Sequence, residues 1–344
     1  MKCTIKDIAE ALHISRNTVS KALSGSSGVS DTTRRMIQEK AREMNYQNSI
    51  IEYNSSSGSA VTLGSILFLT RASANYSEFW TNVLKGIESV LRPHSYSLVL
   101  GIMNENDLKN LQFPSVISDP MIKGIILVEI CDERVINALF RYNLPVVTVD
   151  MPRDYEEIMG KLDIITMENK INLKHLVTEL IQKGASRFAF AGDIYSSNVG
   201  RGFQERYDAL CETLRSFKLK LDDKCSLLYD TDDKFMDFPY LVDKIKKMQF
   251  LPDVFICGND WTGIQLMHAL QFLGYRIPKD VSIAGFDNIP ESAKVHPPLT
   301  TIDTPKEQLG IAAANCIIER IKNPAIPRVY SQYTTSLIIR ESTI

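Results

Sequence analysis

Through the first 45 positions, apolar residues recur three and four apart in three short bursts. Ile5, Ile8, Ala9 and Leu12 share a helical face, opened by Thr4 as N-cap with Asp7 three residues on. His13-Ile14 breaks the pattern. Ser15 then caps a second helix, 16–23, which turns Val19, Ala22 and Leu23 inward and leaves Arg16, Asn17, Ser20 and Lys21 outward. After the flexible run Ser24-Gly25-Ser26-Ser27-Gly28, Ser30 caps a third helix whose apolar stripe is Met36, Ile37, Ala41 and Met44. Two short helices, a tight turn and a third supporting helix predict a helix-turn-helix. From Leu63 the pattern changes to continuous apolar strands at 65–70, 97–101, 124–129, 146–150, 187–192, 254–258 and 281–286. Between them lie amphipathic segments such as 78–91, 173–182 and 262–273. Fully apolar strands with helical crossovers predict an α/β body of parallel sheets covered on both faces. The stretch 61–344 is too long for one simple doubly wound unit and predicts two lobes, with a ligand cleft between them beyond the carboxyl ends of the strands.

The second helix carries the chemistry of the head. Arg16 and Asn17 stand at its N-terminal end, the end that reaches base edges in a major groove. Arginine can bond guanine and asparagine can bond adenine bidentately, while Thr18, Ser20, Lys21 and the helix N-terminus suit phosphates. Charge agrees with this division. Residues 1–50 hold eight basic and five acidic side chains, a balance of +3, whereas the remainder carries −5. Only the head is therefore expected to meet a polyanion.

Composition narrows the class. At 44% hydrophobic and 23% charged, the chain has enough apolar material for a core and is not a disordered sequence. Its longest apolar runs have four residues, as at 66–69 and 125–128, against the about 20 a spanning helix needs, so no membrane role is expected. The start, MKCTIKDIAE, has no apolar signal region, and Cys3, Cys131, Cys211, Cys225, Cys257 and Cys316 form no C-x-x-C pair. A cytoplasmic protein with reduced thiols and no metal or cofactor is the expectation.

Polar and aromatic residues gather at the ends of the body's strands. Thr70-Arg71 and the run Asn75 to Trp80, including Tyr76, Phe79 and Trp80, follow the first; Asp150 ends another; Asn259-Asp260-Trp261 and Asp287-Asn288 follow two more. Aspartates hold paired sugar hydroxyls and aromatic rings stack on a sugar's apolar face. The same residue types also cap helices and fill cores.

The string I-K-D-I-A-E-A-L-H-I-S-R-N-T-V-S-K-A-L-S-G followed by G-V-S-D-T-T-R-R resembles the head-piece of the lactose-repressor/galactose-repressor (LacI/GalR) family. The resemblance continues in P-V-V-T-V-D, C-G-N-D-W-T-G, D-V-S-I-A-G-F-D-N, P-P-L-T-T-I and the closing S-L-I-I-R-E-S-T. It implies a helix-turn-helix domain at 1–46, a hinge at 47–60 and an effector-binding and dimerisation body at 61–344 resembling periplasmic sugar-binding proteins. Three chain crossings are expected near 161–165, 289–293 and 322–326, giving one lobe of about 61–163 and 292–323 and another of about 164–291 and 324–344. The resemblance makes Arg16 and Asn17 the base-reading positions, with Lys21 near the backbone or bases; Thr4, Ser15, Thr18, Ser20, Ser30 and Arg34 complete the expected DNA-facing set. The resemblance implies Asp150, Asn259 or Asp260, Asp287 and Arg206 as effector contacts, with Arg201 as the rival to Arg206; Tyr76, Phe79, Trp80 and Trp261, read from their places after the strands, complete the expected effector set. Three departures stand out. His13 occupies a turn position where the family usually has Gly. The hinge, where the family wedges a Leu into the minor groove, reads Ser55 at that place, leaving Ile51 or Tyr53 as a substitute wedge or the segment as a plain tether. The family's D-N-x-x-G after the first crossing becomes Glu168-Asn169-Lys170-Ile171-Asn172.

The expected function is a sequence-specific transcription regulator, most naturally a repressor, that binds double-stranded operator DNA in the nucleoid as a homodimer. A small effector, a neutral sugar ahead of a phosphorylated sugar, sugar acid or purine, would control it. The alternative is a transport-associated sugar-binding protein, which the DNA-reading helix argues against. An enzyme is not expected: no G-x-G-x-x-G after a strand, G-x-x-x-x-G-K-[ST], G-x-S-x-G or H-E-x-x-H occurs, and the five histidines show no triad or metal spacing.

Overall fold

The computed structural model describes residues 5–23, 29–43, 62–71, 78–152, 155–194, 200–228 and 237–344. Thr4, Tyr76, the hinge 47–60 with Ile51 and Tyr53, and Met44 lie outside the described residues. The chain divides into two units, residues 1–61 and 62–344.

The first unit holds α1 (Ile5–Ala11), α2 (Arg16–Leu23) and α3 (Asp31–Glu43). Ile8, Ala9, Val19, Ala22 and Ile37 bury against one another, with Leu12, Ile14 and Val29 packed at the edge. Met36, expected in the stripe of α3, is instead 43% exposed: successive residues are rotated about 100° on a helix, so seating Ile37 turns Met36 out. The turn between α1 and α2 places His13 at φ 54°, the left-handed conformation that glycine adopts without cost.

The second unit runs β1 (Gly64–Arg71), α4 (Glu78–Leu91), β2 (Tyr96–Met103), α5 (Glu105–Asn110), β3 (Ile122–Val128), α6 (Glu133–Leu139), β4 (Val146–Val149), α7 (Tyr155–Ile158), β5 (Asp163–Met167), α8 (Ile171–Gln182), β6 (Phe188–Ala191), α9 (Arg201–Ser216), α10 (Phe238–Lys247), β7 (Val254–Cys257), α11 (Asp260–Phe272), β8 (Ser282–Ala284), β9 (Thr301–Asp303), α12 (Lys306–Lys322), β10 (Tyr330–Tyr333) and β11 (Ser336–Ile338). Lobe 1 is a six-stranded parallel sheet in the order β10-β5-β4-β3-β1-β2, and lobe 2 a three-stranded parallel sheet β6-β7-β8. Antiparallel β9 and β11 form a short ribbon between them. In lobe 1, α12 lies across α4 so closely that a Cβ on Gly86 or Gly310 would collide with the backbone of the opposite helix.

Strand pairing moves all three expected crossings. β5 bonds to β4 and β10, so residues 163–167 belong to lobe 1 and the first crossing follows Met167. Leu299 packs in the core of lobe 2 with Val281 and Ile283, so the second crossing runs through β9 rather than 289–293. β10 also lies in the sheet of lobe 1, which puts the third crossing after Tyr333 instead of at 322–326. The reason is visible in the residues. β5 opens on a charge, Asp163, that is fully buried against Arg320 at 2.7 Å, and β10 is the polar, half-exposed strand Tyr-Ser-Gln-Tyr. Neither reads as an apolar run. Among the described residues no helix is long and apolar enough to cross a membrane.

Candidate nucleic-acid interface and effector cleft

In the head, Arg16, Asn17, Ser20 and Lys21 are exposed on α2, with Arg16 and Asn17 in its first turn as expected. Ser15 and Thr18 bond to each other. The Ser15 Oγ accepts the Thr18 N–H at 3.1 Å and lies 2.8 Å from the Thr18 hydroxyl, capping α2. Ser30 caps α3 in the same way through the Thr33 N–H at 3.2 Å. Arg34 reaches from α3 to the end of α2, donating to the carbonyls of Ala22 at 3.0 Å and Lys21 at 3.3 Å. Ser15, Thr18 and Arg34 thus shape α2, and Ser30 shapes α3.

In the body, Arg206 on α9 is buried at 3% exposure between the lobes. Its Nε donates to the Asn169 Oδ1 at 3.0 Å, its Nη1 to the Gly258 carbonyl, and its guanidinium lies 3.6 Å from the centre of the Phe286 ring. The arginine is thus fixed from the first crossing, through Asn169, and from the end of β7. Asp287, after β8, stands 3.9 Å away. Asp150, after β4, also acts on it electrostatically. The two aspartates share an uncommon backbone: φ is 105° at Asp150 and 110° at Asp287, conformations that cost a non-glycine residue about 1–3 kcal/mol and gather at functional sites. Burial pushes the Asp150 carboxyl up to about 7, against the pull of the Met151 N–H and Arg206, with Glu205 and Glu129 pushing the same way as burial. Burial raises Asp287 to about 6, opposed by Arg206 and Lys306. Burial lowers the Arg206 guanidinium, and the surrounding carboxylates oppose that.

The other expected effector residues are placed differently. Phe79 and Trp80 are buried in the core at the start of α4, packed edge to face at 4.6 Å, and the Trp80 indole N–H donates to Glu129 at the end of β3. Asn259 uses its Oδ1 to cap α11 through the Thr262 N–H at 2.9 Å. Asp260 is fully buried, accepting from the Thr301 hydroxyl at 2.5 Å and the Ile289 N–H at 2.9 Å, so both oxygens are committed inside lobe 2. Trp261 packs on the core of lobe 2. Arg201, the rival arginine, lies over the Tyr155 ring at 4.7 Å, with its Nε 3.5 Å from Glu205.

The buried cluster includes residues the sequence did not single out. Asn169 is 1% exposed and donates to Glu205 at 2.8 Å and to the Met167 carbonyl at 3.1 Å. Lys306 donates to the Asp287 and Thr304 carbonyls, holding the second crossing to the strand end that carries Asp287. Gly200 abuts Asp150. Glu129 ends the predicted strand 124–129 and Asn169 lies in the departing stretch 168–172, but their partners are distant in sequence, and only folding brings them together.

Residues 4–49 match the family described as bacterial regulatory proteins, lacI family, and residues 177–343 match the periplasmic binding protein-like domain. The HTH-type transcriptional repressor PurR of Vibrio vulnificus is 27% identical over 348 aligned positions, covering 98% of both chains. A solved transcriptional regulator CelR–cellobiose complex superimposes with a TM-score of 0.69 at 20% identity, over 99% of this chain and 100% of that one. The lac repressor dimer bound to operator and the anti-inducer ONPF gives 0.65 at 19% identity, over 100% of each. The chain therefore carries a lacI-family DNA-binding domain ahead of a periplasmic-binding-protein-like body, and over its full length it is similar to transcriptional repressors with that pair of domains.

Proposed function

We propose that this regulator is a repressor that acts as a homodimer in the cytoplasm, releasing or gripping its operator as a small sugar-like effector occupies the cleft around Arg206. It is a binding protein and not a catalyst. The observation that carries the reading is the buried Arg206 between Asp150 and Asp287, one strained aspartate from each lobe. Such a set offers donors and acceptors together, which suits a molecule dense in hydroxyl groups. The solved relative holding cellobiose and an Enterococcus faecalis relative holding ribose support that class.

A dimer would set two copies of α2 in successive major grooves, about 34–36 Å apart, with Arg16 and Asn17 at the base edges. Effector coupling of about 1–3 kcal/mol is enough to change operator affinity about 5–150-fold. The test is a titration of sugars and sugar derivatives followed by intrinsic fluorescence, in which Trp80, bonded to Glu129, reports on the cleft. It is repeated with operator DNA present. One saturable compound whose binding changes operator affinity supports the reading. Asp287→Ala should then keep operator binding and lose the effector response; normal induction in that variant would discard the cleft.

A further inference from the structure

Asp150 differs from its acidic neighbours in what it is bonded to. Glu129 accepts the Trp80 indole N–H. Glu205 accepts the Asn169 amide at 2.8 Å and lies 3.5 Å from Arg201. Asp287 lies 3.9 Å from Arg206 and feels Lys306. Asp150 has the N–H of its own neighbour Met151, at 2.7 Å on Oδ1, and its Oδ2 lies against Gly200. Arg206 attracts it while donating its Nε and Nη1 hydrogens to Asn169 and Gly258. Glu205 and Glu129 both repel its charge. Arg71, at the end of β1, acts with Asp150 and Glu129 on Cys131 and is paired with Glu105 at 3.3 Å; Arg153, three residues after Asp150, lies outside the described residues.

We propose that Asp150 is an ammonium-selecting subsite, and that the effector is a sugar-like molecule carrying a primary amine. This rests on reading the cleft as the effector site. An ammonium supplies three donors and no acceptor, and it answers an enclosed carboxylate that neighbouring acids keep unfavourable. A phosphate or carboxylate seated at Asp150 would add a like charge to Glu129, Asp150 and Glu205, with Arg206 as the opposing attraction. The strained backbone of Asp150 fits the same role, since strain is retained where it holds a group against a ligand.

The test is titration calorimetry of the full chain with paired probes: glucose and glucosamine, galactose and galactosamine, mannose and mannosamine, and glucose 6-phosphate. At about pH 7.5 the amino member of the recognised pair should bind about 10- to 100-fold tighter than its parent, the range of a charge-assisted hydrogen bond. At about pH 5.5, where Asp150 is mostly protonated, the gap should collapse. Asp150→Asn should close it at both pH values; Asp287→Asn should weaken both members of the pair and leave the gap. A parent sugar that binds as well as its amine, or glucose 6-phosphate binding best, overturns the proposal while the sugar-effector reading stands. No binding by any probe overturns both.

Discussion

Gly200, at the N-terminus of α9, is packed so closely on Asp150 that a Cβ there would collide with the Asp150 carboxylate. One lobe touches the other at this point, and the adjacent Arg201 N–H donates across to the Met151 carbonyl at 2.9 Å. Gly200→Ala should therefore pry the lobes apart. Overpacking of this kind costs about 1–3 kcal/mol, so effector affinity should fall about tenfold or more. Titration calorimetry measures the loss and small-angle scattering the opening; unchanged affinity would mean that this contact plays no part in ligand capture.

Arg16 and Arg34 should fail in different ways. Arg16 is exposed at the start of α2, so Arg16→Ala should cost about 1–3 kcal/mol on the preferred operator and relax the choice of base at one position. Arg34 holds the end of α2 through the Ala22 and Lys21 carbonyls, so Arg34→Ala should destabilise the head by about 1 kcal/mol and weaken all operators alike. Binding-site selection on the two variants separates the effects; a changed base preference in Arg34→Ala would make it a reading residue.

His13 sits at φ 54° with no glycine to relieve it. A residue with a Cβ pays about 1–2 kcal/mol in that conformation. His13→Gly should raise the stability of the head by about 1 kcal/mol, less what the added freedom of the unfolded chain takes back. A calorimetric scan resolving the head's transition checks it, and a lower melting temperature would refute the strain.

Asp163 is fully buried and holds Arg320, itself 2% exposed, by two bonds at 2.7 and 2.9 Å. The same arginine ties down the carbonyls of Pro324, Ile326 and Pro327 ahead of β10. Asp163→Ala strands a buried guanidinium, and the body should lose about 3–5 kcal/mol. Urea unfolding would show the midpoint drop; a loss under about 1 kcal/mol would show that water repairs the gap.

The body should also lose stability as pH rises. In the folded chain Asp150 and Asp260 are raised to about 7 and Asp287 to about 6, against about 3.9 unfolded. Between those values the folded state holds more protons than the unfolded state, so stability declines from about pH 4 up through about pH 7. The effector-free melting temperature should therefore be higher near pH 5 than near pH 7.5, and Asp260→Asn should flatten part of the slope. A melting temperature that climbs across this range would contradict the burial of these carboxyls.

The repeating distances along the chain were enough for most of the architecture. Helical spacing located α2 at 16–23 and α4 at 78–91, and apolar runs located seven strands, because a periodic face is a local property that burial merely confirms. What defeated this reading was compensation at a distance. Asp163 opens a buried strand only because Arg320, 157 positions later, meets it; β10 is polar because an edge strand keeps one side free; both shifts moved the crossings between lobes. The same holds in the cleft. Asp150, Arg206 and Asp287 could be named from their places after strands and in familiar strings, yet Asp260, next to Asn259 in an equally plausible place, turned out to be consumed by Thr301 and Ile289. Residue type and spacing determined which groups stood near the ends of the strands. Only the tertiary structure decided which of them met an internal partner, as Asp260 did, because that depends on whether a donor from a distant strand or turn arrives first.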